Sequence, residues 1–506
     1  MENRFINGPA GRFIFLAIFV FSFALNAQEK DSQKGQNTGD GLSFQIQKIQ
    51  KLYANGKNIK NNWLAFELID ANYYFAASIF AKRHLIANGE HNDIFEEALE
   101  KIVVKTGVEV FADLPEDILT KAKGPTLALV LGLRKFREKR YQESLKALEI
   151  IPAHHRFGPE ALLISGTIYN LQGMQNKAID LYRTCHRTAT YAANKSKHEK
   201  LERYYSLISE FCLIHTARME YKNKQYDKSL MLYDDIDKNS YQWPYILLEK
   251  AWGQYQSQDY NRTLGLLVTY KSPLLDSYFF PEAELLTALS YFKLCLYDDA
   301  LQIIDNYYAD YRPKSESLKL TLAKLAKEKN GFLATIFKQR SEKEDLGPFI
   351  SKLATQIRKE VKFNLDLLTL RRAQDEIQAF NSWPNSMVKY LLIGEIQDMA
   401  NYLEHGLNQY VASKFYKFIN DVHKFSYELF NIKLEILSKK RGLIYSNLKL
   451  VADRARGSEI NVKRKSTQHF WDFRGGFWAD ELGEYSFGLK SNCQEIGIKN
   501  AQGDKQ

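Results

Sequence analysis

Long stretches of the chain place apolar residues three and four positions apart, which is the spacing of one face of an α-helix. In residues 411–436, eight apolar residues alternate spacings of four and three without interruption, as in a heptad repeat. The 506 residues include only 27 glycines and 11 prolines, so few turns interrupt these patterns. The pattern predicts an all-α protein with long helices. The eight residues are Val411, Phe415, Phe418, Val422, Phe425, Leu429, Ile432 and Ile436.

A helical-hairpin unit of about 34 residues repeats through the middle of the chain. Residues 162–187 show it best, with small and aromatic residues in the frame of a tetratricopeptide repeat (TPR). Small residues let antiparallel helices approach closely, and aromatic rings fill the space beside them. A weaker unit at 63–84 begins the array, and the polar stretch 188–200 supplies an insertion of about 17 residues. The turn positions of the units are Tyr141, Gln175, Tyr226, Tyr260 and Tyr297, which are 34, 51, 34 and 37 residues apart.

After Pro313 the pattern changes to longer helices. A second apolar stripe in residues 350–368 precedes the turn at 382–385, so we expect a long antiparallel hairpin hinged at Pro384. An intermolecular coiled coil is the alternative, disfavoured by bulky phenylalanines in the seam. Six prolines are expected between helices, where proline is tolerated. They are Pro115, Pro159, Pro244, Pro273, Pro281 and Pro313.

These patterns predict a TPR-type helical-hairpin solenoid followed by a long antiparallel, coiled-coil-like hairpin. A length of 506 residues is sufficient for several domains. The expected segments are a signal peptide (1–27), a polar linker (28–45), a TPR-like repeat array (46–313), a long-helix hairpin region (314–455), a basic loop with an aromatic C-terminal motif (456–493) and a polar tail (494–506).

The N-terminus has the features of an export signal. Arg4 and Arg12 precede an apolar run at 13–25, and Ala27 offers a cleavage site before Gln28. The run is shorter than the roughly 20 residues of a membrane span, and polar residues follow it at once. We therefore expect a periplasmic protein, free or peripheral to the outer or inner membrane, without a transmembrane span after cleavage.

Four cysteines occur, at positions 185, 212, 295 and 493. An oxidising compartment permits disulfides. The first three cysteines lie in apolar helical patterns, however, where cysteine acts as a small core residue. Buried thiols are the favoured interpretation and one disulfide the alternative. Neither the cysteines nor the other residues show the spacing of a metal site.

The formal net charge is +10, which is too modest for a dedicated nucleic-acid binder. Residues 439–465 hold nine basic and two acidic residues, a net +7. In an exported protein this segment favours acidic envelope components and excludes nucleic acid; a solvated helix end is the simpler alternative. The candidate patch is Lys439, Lys440, Arg441, Arg454, Arg456, Lys463, Arg464 and Lys465.

Aromatic residues are the candidate protein-binding groups, because they are enriched where partners are anchored. Packing between helices is the alternative for those in the repeats. The C-terminal motif at 470–493 is dense enough in aromatic rings to require a docking surface, either the protein's own hairpin or a partner. The candidates are Tyr241, Trp243, Trp252, Tyr255, Trp471, Trp478 and Tyr485.

Three stretches resemble one protein family. They are 249–252 with Tyr260 and 264–265, then 278–283 leading to Tyr307 and 311–313, and finally 478–485 (WADELGEY) with Cys493. The chain resembles exported TPR proteins of myxobacteria and Bdellovibrio-like bacteria that are associated with adventurous gliding motility. The resemblance implies a place in an envelope complex and brings no catalytic residues.

Catalytic motifs are scarce in this sequence. It has no phosphate-binding loop, no Gly-x-Ser-x-Gly and no His-Glu-x-x-His. His154-His155 fits a surface turn, and adjacent Asp480-Glu481 is a poor carboxylate pair for glycan cleavage. We expect a non-catalytic scaffold that binds envelope proteins, with no cofactor and no metal. The alternatives are an accessory protein of outer-membrane assembly or nutrient uptake and, less favoured, a glycan-acting enzyme.

Overall fold

The structure is a computed structural model that describes residues 39–54, 61–87, 89–121, 124–337, 347–445 and 471–493. The expected signal peptide, the expected polar tail and residues 28–38 of the expected linker lie outside the described residues. Residues 39–45, which were also expected in the linker, belong instead to the first helix, Gly39–Ala54.

The described residues form 19 α-helices, three short 3₁₀ helices and one pair of two-residue strands, so the all-α prediction is confirmed. The first ten helices are α1 (Gly39–Ala54), α2 (Asn61–Asp70), α3 (Tyr74–Ile86), α4 (Asp93–Thr106), α5 (Glu116–Lys121), α6 (Pro125–Arg137), α7 (Tyr141–Leu148), α8 (Gly158–Leu171), α9 (Gln175–Lys195) and α10 (Glu199–Lys222). The others are α11 (Tyr226–Tyr233), α12 (Trp243–Gln256), α13 (Tyr260–Val268), α14 (Pro281–Lys293), α15 (Tyr297–Leu325), α16 (Gly331–Phe337), α17 (Pro348–Arg358), α18 (Val361–Asn381) and α19 (Met387–Tyr445). The 3₁₀ helices are Val108–Phe111, Thr269–Lys271 and Pro273–Leu275; the strands β1 (Trp471–Asp472) and β2 (Tyr485–Ser486) pair in parallel.

The chain folds into two compact units. Unit 1 contains the described residues up to Asn223 together with Val361–Leu407. Unit 2 contains Lys224–Glu360 and the described residues from Asn408 onwards. Each unit therefore combines residues from the expected repeat array with residues from the expected long-helix region.

The same backbone turn recurs through both units. At six places a residue with φ near +60° to +80° lies two positions before a helix begins, which is how a left-handed residue ends one helix and redirects the chain into the next. Helices α7, α9, α11, α13 and α15 consequently begin at the five residues that the sequence repeat marked as turn positions. The six residues are Asn72, Lys139, Gly173, Lys224, Gln258 and Cys295.

Small residues allow paired helices to approach. A Cβ atom on Gly132 would lie 2.6 Å from the Leu148 side chain, which packs α7 against α6. A Cβ atom on Gly166 would lie 2.7 Å from the ring of Tyr182, a fully buried residue of α9. Because such contacts leave no room for a methyl group, the glycines are required by packing and not by backbone conformation.

The polar stretch 188–200 lengthens two helices instead of forming a loop. Helix α9 continues to Lys195, and α10 begins at Glu199. The long helices are joined by a hydrogen bond of 2.8 Å between the hydroxyls of Thr190 and Ser209. Nearer their other ends the rings of Tyr182 and His215 stack with centroids 5.1 Å apart, and burial lowers the pKa of His215 to about 3.

Pro313 does not lie between helices as expected, but inside α15. Proline removes one backbone donor and usually breaks a helix. Here packing on both sides of it keeps the helix continuous: the Tyr307 hydroxyl donates to the Val422 carbonyl at 2.8 Å, and Leu318 is buried beyond the proline. Tertiary contacts therefore outweigh the local signal, and the expected segment boundary at 313 falls within a helix.

The two apolar stripes of the long-helix region differ in the structure. All eight residues of the heptad pattern at 411–436 are buried on one face of α19. The second stripe, at 350–368, is divided between α17 and α18, which are separated by Lys359 and Glu360. Both residues are held within unit 2: Lys359 Nζ donates to Ser277 at 2.6 Å, and Glu360 pairs with Lys414 at 2.6 Å.

Candidate binding site

Unit 2 contains a cavity of about 510 Å³, and we call it the unit 2 cavity. The end of α13, the loop before α14, and parts of α14, α15 and α17 form its walls. Phe487, from the C-terminal part of the chain, completes the lining. A volume of this size falls within the usual range of small-ligand and side-chain pockets.

Aromatic rings form one wall of the unit 2 cavity. Phe280 contacts three of them, with centroids 4.9 Å from Tyr270, 6.1 Å from Tyr278 and 5.3 Å from Tyr245. The Tyr270 hydroxyl donates to the Pro244 carbonyl at 2.5 Å, and burial raises the pKa of this hydroxyl well above its ordinary value. The wall is thus aromatic and uncharged, as is typical of a surface that packs against an inserted side chain.

Charged groups surround the aromatic wall. Lys352 pairs with Asp276 at 2.9 Å, and Lys314 pairs with Asp310 at 2.5 Å. Glu284 also lines the cavity, and no described residue forms a hydrogen bond or ion pair with it. Burial raises the pKa of this carboxyl, whereas the charge of Lys271 opposes the rise. Glu284 is therefore the polar group that is available to an incoming donor.

Residues 471–493, the terminal segment, dock beside the cavity on α13. A Cβ atom on Gly265 would lie 1.9 Å from the Tyr485 carbonyl oxygen, so the backbone of the segment lies directly on the helix. The Phe487 amide donates to the Asn261 carbonyl at 3.1 Å. The Asn261 side chain pairs with the Leu489 backbone, accepting from its N–H at 3.0 Å and donating to its carbonyl at 3.1 Å.

Further contacts hold the middle and the end of the terminal segment. In its middle, Lys238 Nζ donates to the Asp480 carbonyl at 2.8 Å and pairs with Glu484 at 3.0 Å. At its end, Cys493 forms a disulfide with Cys295, the left-handed residue between α14 and α15. The aromatic motif therefore docks internally, as favoured, but on repeat helices of unit 2. The expectation that it would dock on the long hairpin was wrong.

A second disulfide joins Cys185 of α9 to Cys212 of α10. Both cysteine pairs are bonded, so the buried-thiol interpretation was wrong. An apolar helical pattern shows that a cysteine is buried but does not show which helix it faces. That information comes from the packing of two helices in one pair, and from a contact across 198 residues in the other.

The predicted aromatic residues occupy different environments. Trp243 is buried, and its ring contacts Gly483 of the terminal segment. Trp252 is also buried; its Nε1 donates to Glu282 at 2.9 Å, and its ring meets that of Tyr255 edge-on. Tyr241 is 63% exposed.

The three C-terminal candidates, which all lie in the terminal segment, differ in their exposure. Tyr485 is buried, and its hydroxyl accepts a hydrogen bond of 2.9 Å from the Trp478 amide. The rings of Trp471 and Trp478 are 46% and 67% exposed. Trp243 thus lies against the docked segment at Gly483, Trp478 and Tyr485 contact each other within it, and Trp252 and Tyr255 lie together in α12.

Three of the predicted basic residues are described. Lys440 forms an ion pair with Asp298 at 2.6 Å, and the side chains of Lys439 and Arg441 are exposed. The other five, Arg454, Arg456, Lys463, Arg464 and Lys465, lie outside the described residues.

Asn261, Gly265 and Glu284 were not predicted as site residues. Gly265 had a usable signal, because an isolated glycine inside a helical pattern often marks a close backbone approach. Asn261 and Glu284 look like ordinary surface positions in the sequence. Their roles follow from the terminal segment and from the empty space beside it.

The sequence matches no known protein-family model, and no curated protein shows significant similarity to it. Within the described residues, no helix combines the length and apolarity needed to cross a membrane. The same residues contain no group of three or more histidine, cysteine, aspartate or glutamate side chains arranged to hold a metal ion.

Proposed function

We propose that this chain is a non-catalytic scaffold of the TPR type that binds segments of cell-envelope proteins. The single observation that carries the proposal is the unit 2 cavity, an aromatic-walled space between repeat helices that contains the Glu284 carboxyl, to which no described residue forms a hydrogen bond or ion pair. Stacked helical hairpins commonly present such surfaces to extended polypeptides. An inserted side chain would pack on Tyr278 and Phe280 while a donor reaches Glu284.

The repeat type is supported by agreement between spacing and backbone. Left-handed residues at 139, 173, 224, 258 and 295 repeat the 34, 51, 34 and 37 residue separations of the sequence frame. Small residues face large ones at Gly132 and Gly166. These are the features that make a tetratricopeptide hairpin pack.

We place the protein in the periplasm. The support is the basic and apolar pattern of the first 27 residues, together with two disulfides, which persist mainly in oxidising compartments. A gliding-motility or related envelope complex is the proposed setting. That part rests on the resemblance in residues 249–313 and 478–485.

The test compares partners recovered by the wild-type chain and by a cavity variant. A tagged chain and its Tyr278→Ala/Glu284→Lys variant would be isolated from envelope extracts of the source organism and analysed by quantitative mass spectrometry. Leu320→Glu, at a 70% exposed position of α15 outside the cavity lining, is the control. We expect motility-type envelope proteins to be recovered with the wild type and the control and depleted at least tenfold with the cavity variant.

Two outcomes would contradict the proposal. Equal recovery with all three chains would show that the unit 2 cavity binds none of the partners. Recovery of barrel-assembly or nutrient-uptake proteins in place of motility components would favour the alternative setting. Separately, release of soluble fragments from peptidoglycan by the purified chain would overturn the non-catalytic assignment.

A further inference from the structure

Helix α19 has a second apolar face besides its buried one. Leu429, Ile432 and Ile436 are at most 3% exposed. Five other large apolar side chains on the same turns are exposed and lie 3, 4, 3 and 7 residues apart, which places them on one stripe. They are Tyr427 (68%), Phe430 (48%), Leu434 (50%), Leu437 (48%) and Ile444 (70%).

We propose that this exposed stripe is a dimerisation surface that pairs antiparallel with the same stripe of a second copy of this chain. The alternation of three and four residues is the spacing at which one helix packs along another. Arg441 lies four residues after Leu437 and three before Ile444, so it continues the same stripe and is the one polar residue in it. A helix is therefore the partner that the stripe fits.

The stripe is complementary to itself under a two-fold axis. With the axis between Leu434 and Leu437, these two residues face each other across the pair, and Tyr427 faces Ile444. Phe430 then faces Arg441, whose long apolar stem and guanidinium both pack favourably on an aromatic ring. Every position of the stripe thus meets a compatible side chain.

Charge also permits the pairing. Lys433 and Lys440 border the stripe on one side, and under the two-fold axis this side of one helix faces the same side of the other, so Lys433 lies opposite Lys440 of the second copy. Within the chain they pair with Asp305 and Asp298, at 2.6 Å in each case. These ion pairs within each chain neutralise the lysines, which would otherwise repel each other across the pair and oppose association.

The area is sufficient for a weak dimer. Side chains of this size present roughly 150–200 Å² each, so the exposed fractions correspond to about 500 Å² of apolar surface per chain. Two copies would bury about 1,000 Å², at the lower limit of specific interfaces. We expect a dissociation constant on the order of 1–100 μM, as for small transient interfaces.

Sedimentation equilibrium of the purified full chain between about 1 and 200 μM tests the proposal over this range. We expect reversible association to twice the chain mass, and a dissociation constant at least tenfold higher for Leu434→Glu/Leu437→Glu. The control Leu320→Glu alters a leucine on another helix that is 70% exposed, and it should associate like the wild type. Unchanged helical circular dichroism would show that each variant is folded.

A photo-crosslinking amino acid at Tyr427 identifies what covers the stripe. We expect crosslinks between two chains, at residues near Ile444. A monomer at every concentration, crosslinks only to residues 446–470 of the same chain, or equal weakening by the control would each overturn the proposal.

Discussion

The Cys295–Cys493 disulfide fixes the end of the terminal segment, and its removal gives the most quantitative test of the docking described above. The double variant Cys295→Ser/Cys493→Ser replaces both sulfur atoms and leaves no unpaired thiol. A crosslink stabilises a protein largely by restricting its unfolded chain, and the effect grows slowly with the length of the closed loop. The two cysteines are 198 residues apart, for which the chain-entropy relation gives about 5 kcal/mol.

The second disulfide supplies a matched comparison. Cys185 and Cys212 are only 27 residues apart, for which the same relation gives about 3.5 kcal/mol. The full loss of unfolding free energy on removing Cys295–Cys493 is expected only if the terminal segment stays docked in the absence of the disulfide. The hydrogen bonds at Asn261 and the contact with Gly265 are the interactions that would keep it there.

Urea unfolding followed by tryptophan fluorescence and by circular dichroism measures this loss. Trp243 reports on the terminal segment because its ring contacts Gly483. We expect a lower fluorescence midpoint for Cys295→Ser/Cys493→Ser, with a larger loss of unfolding free energy than for Cys185→Ser/Cys212→Ser. An unchanged midpoint, together with fast hydrogen exchange at the amides of Gly483, Phe487 and Leu489 in the wild type, would refute the docking.

Two further predictions concern buried positions in the two units. Gly265→Ala should weaken docking by about 1–3 kcal/mol, because its methyl group would collide with the Tyr485 carbonyl. Gly476→Ala should not weaken docking, because its methyl group would meet only Trp478 Nε1, at an ordinary contact distance of 3.8 Å. Equal effects of the two variants in hydrogen exchange would contradict the contact at Gly265. Burial raises the pKa of Glu160 to about 8, so the folded state holds an extra proton between pH 4.5 and 8, and stability should fall by about 1.4 kcal/mol per unit as pH rises through that window. Glu160→Gln should lower the pH slope of stability in thermal unfolding by this amount, while Glu376, whose pKa burial also raises to about 8, keeps its own contribution. An identical slope in the variant would show that Glu160 is ionised when folded.

The turns between paired helices at five places were predictable from sequence, because each of these units carries its own local signals. Gly166 and Tyr182 mark a close approach within one hairpin, and the left-handed turn at Gly173 lies between them. These features depend on residues within about one repeat length. Local sequence therefore contained the information needed for the helical class and for the frame of the repeats.

Other features depend on residues that are distant in the sequence. Pro313 looks like a helix breaker until the packing of Tyr307 against residue 422 is known. Cys493 pairs with Cys295 because the terminal segment crosses α13, and neither residue signals this contact. The unit 2 cavity is a space that side chains leave unfilled. Its existence depends on how several helices pack together, which the identity of a single residue does not indicate.

The most direct test of the proposed function asks whether the unit 2 cavity contacts another protein in living cells. A photo-crosslinking amino acid would replace Tyr278 in the cavity wall and, as a control, the 66% exposed Tyr402 of unit 1. We predict that irradiation links the Tyr278 site to a defined envelope protein, and that Glu284→Lys in the same chain abolishes the product. Crosslinks from Tyr278 only to the chain itself, or the same partners from Tyr402, would contradict the account.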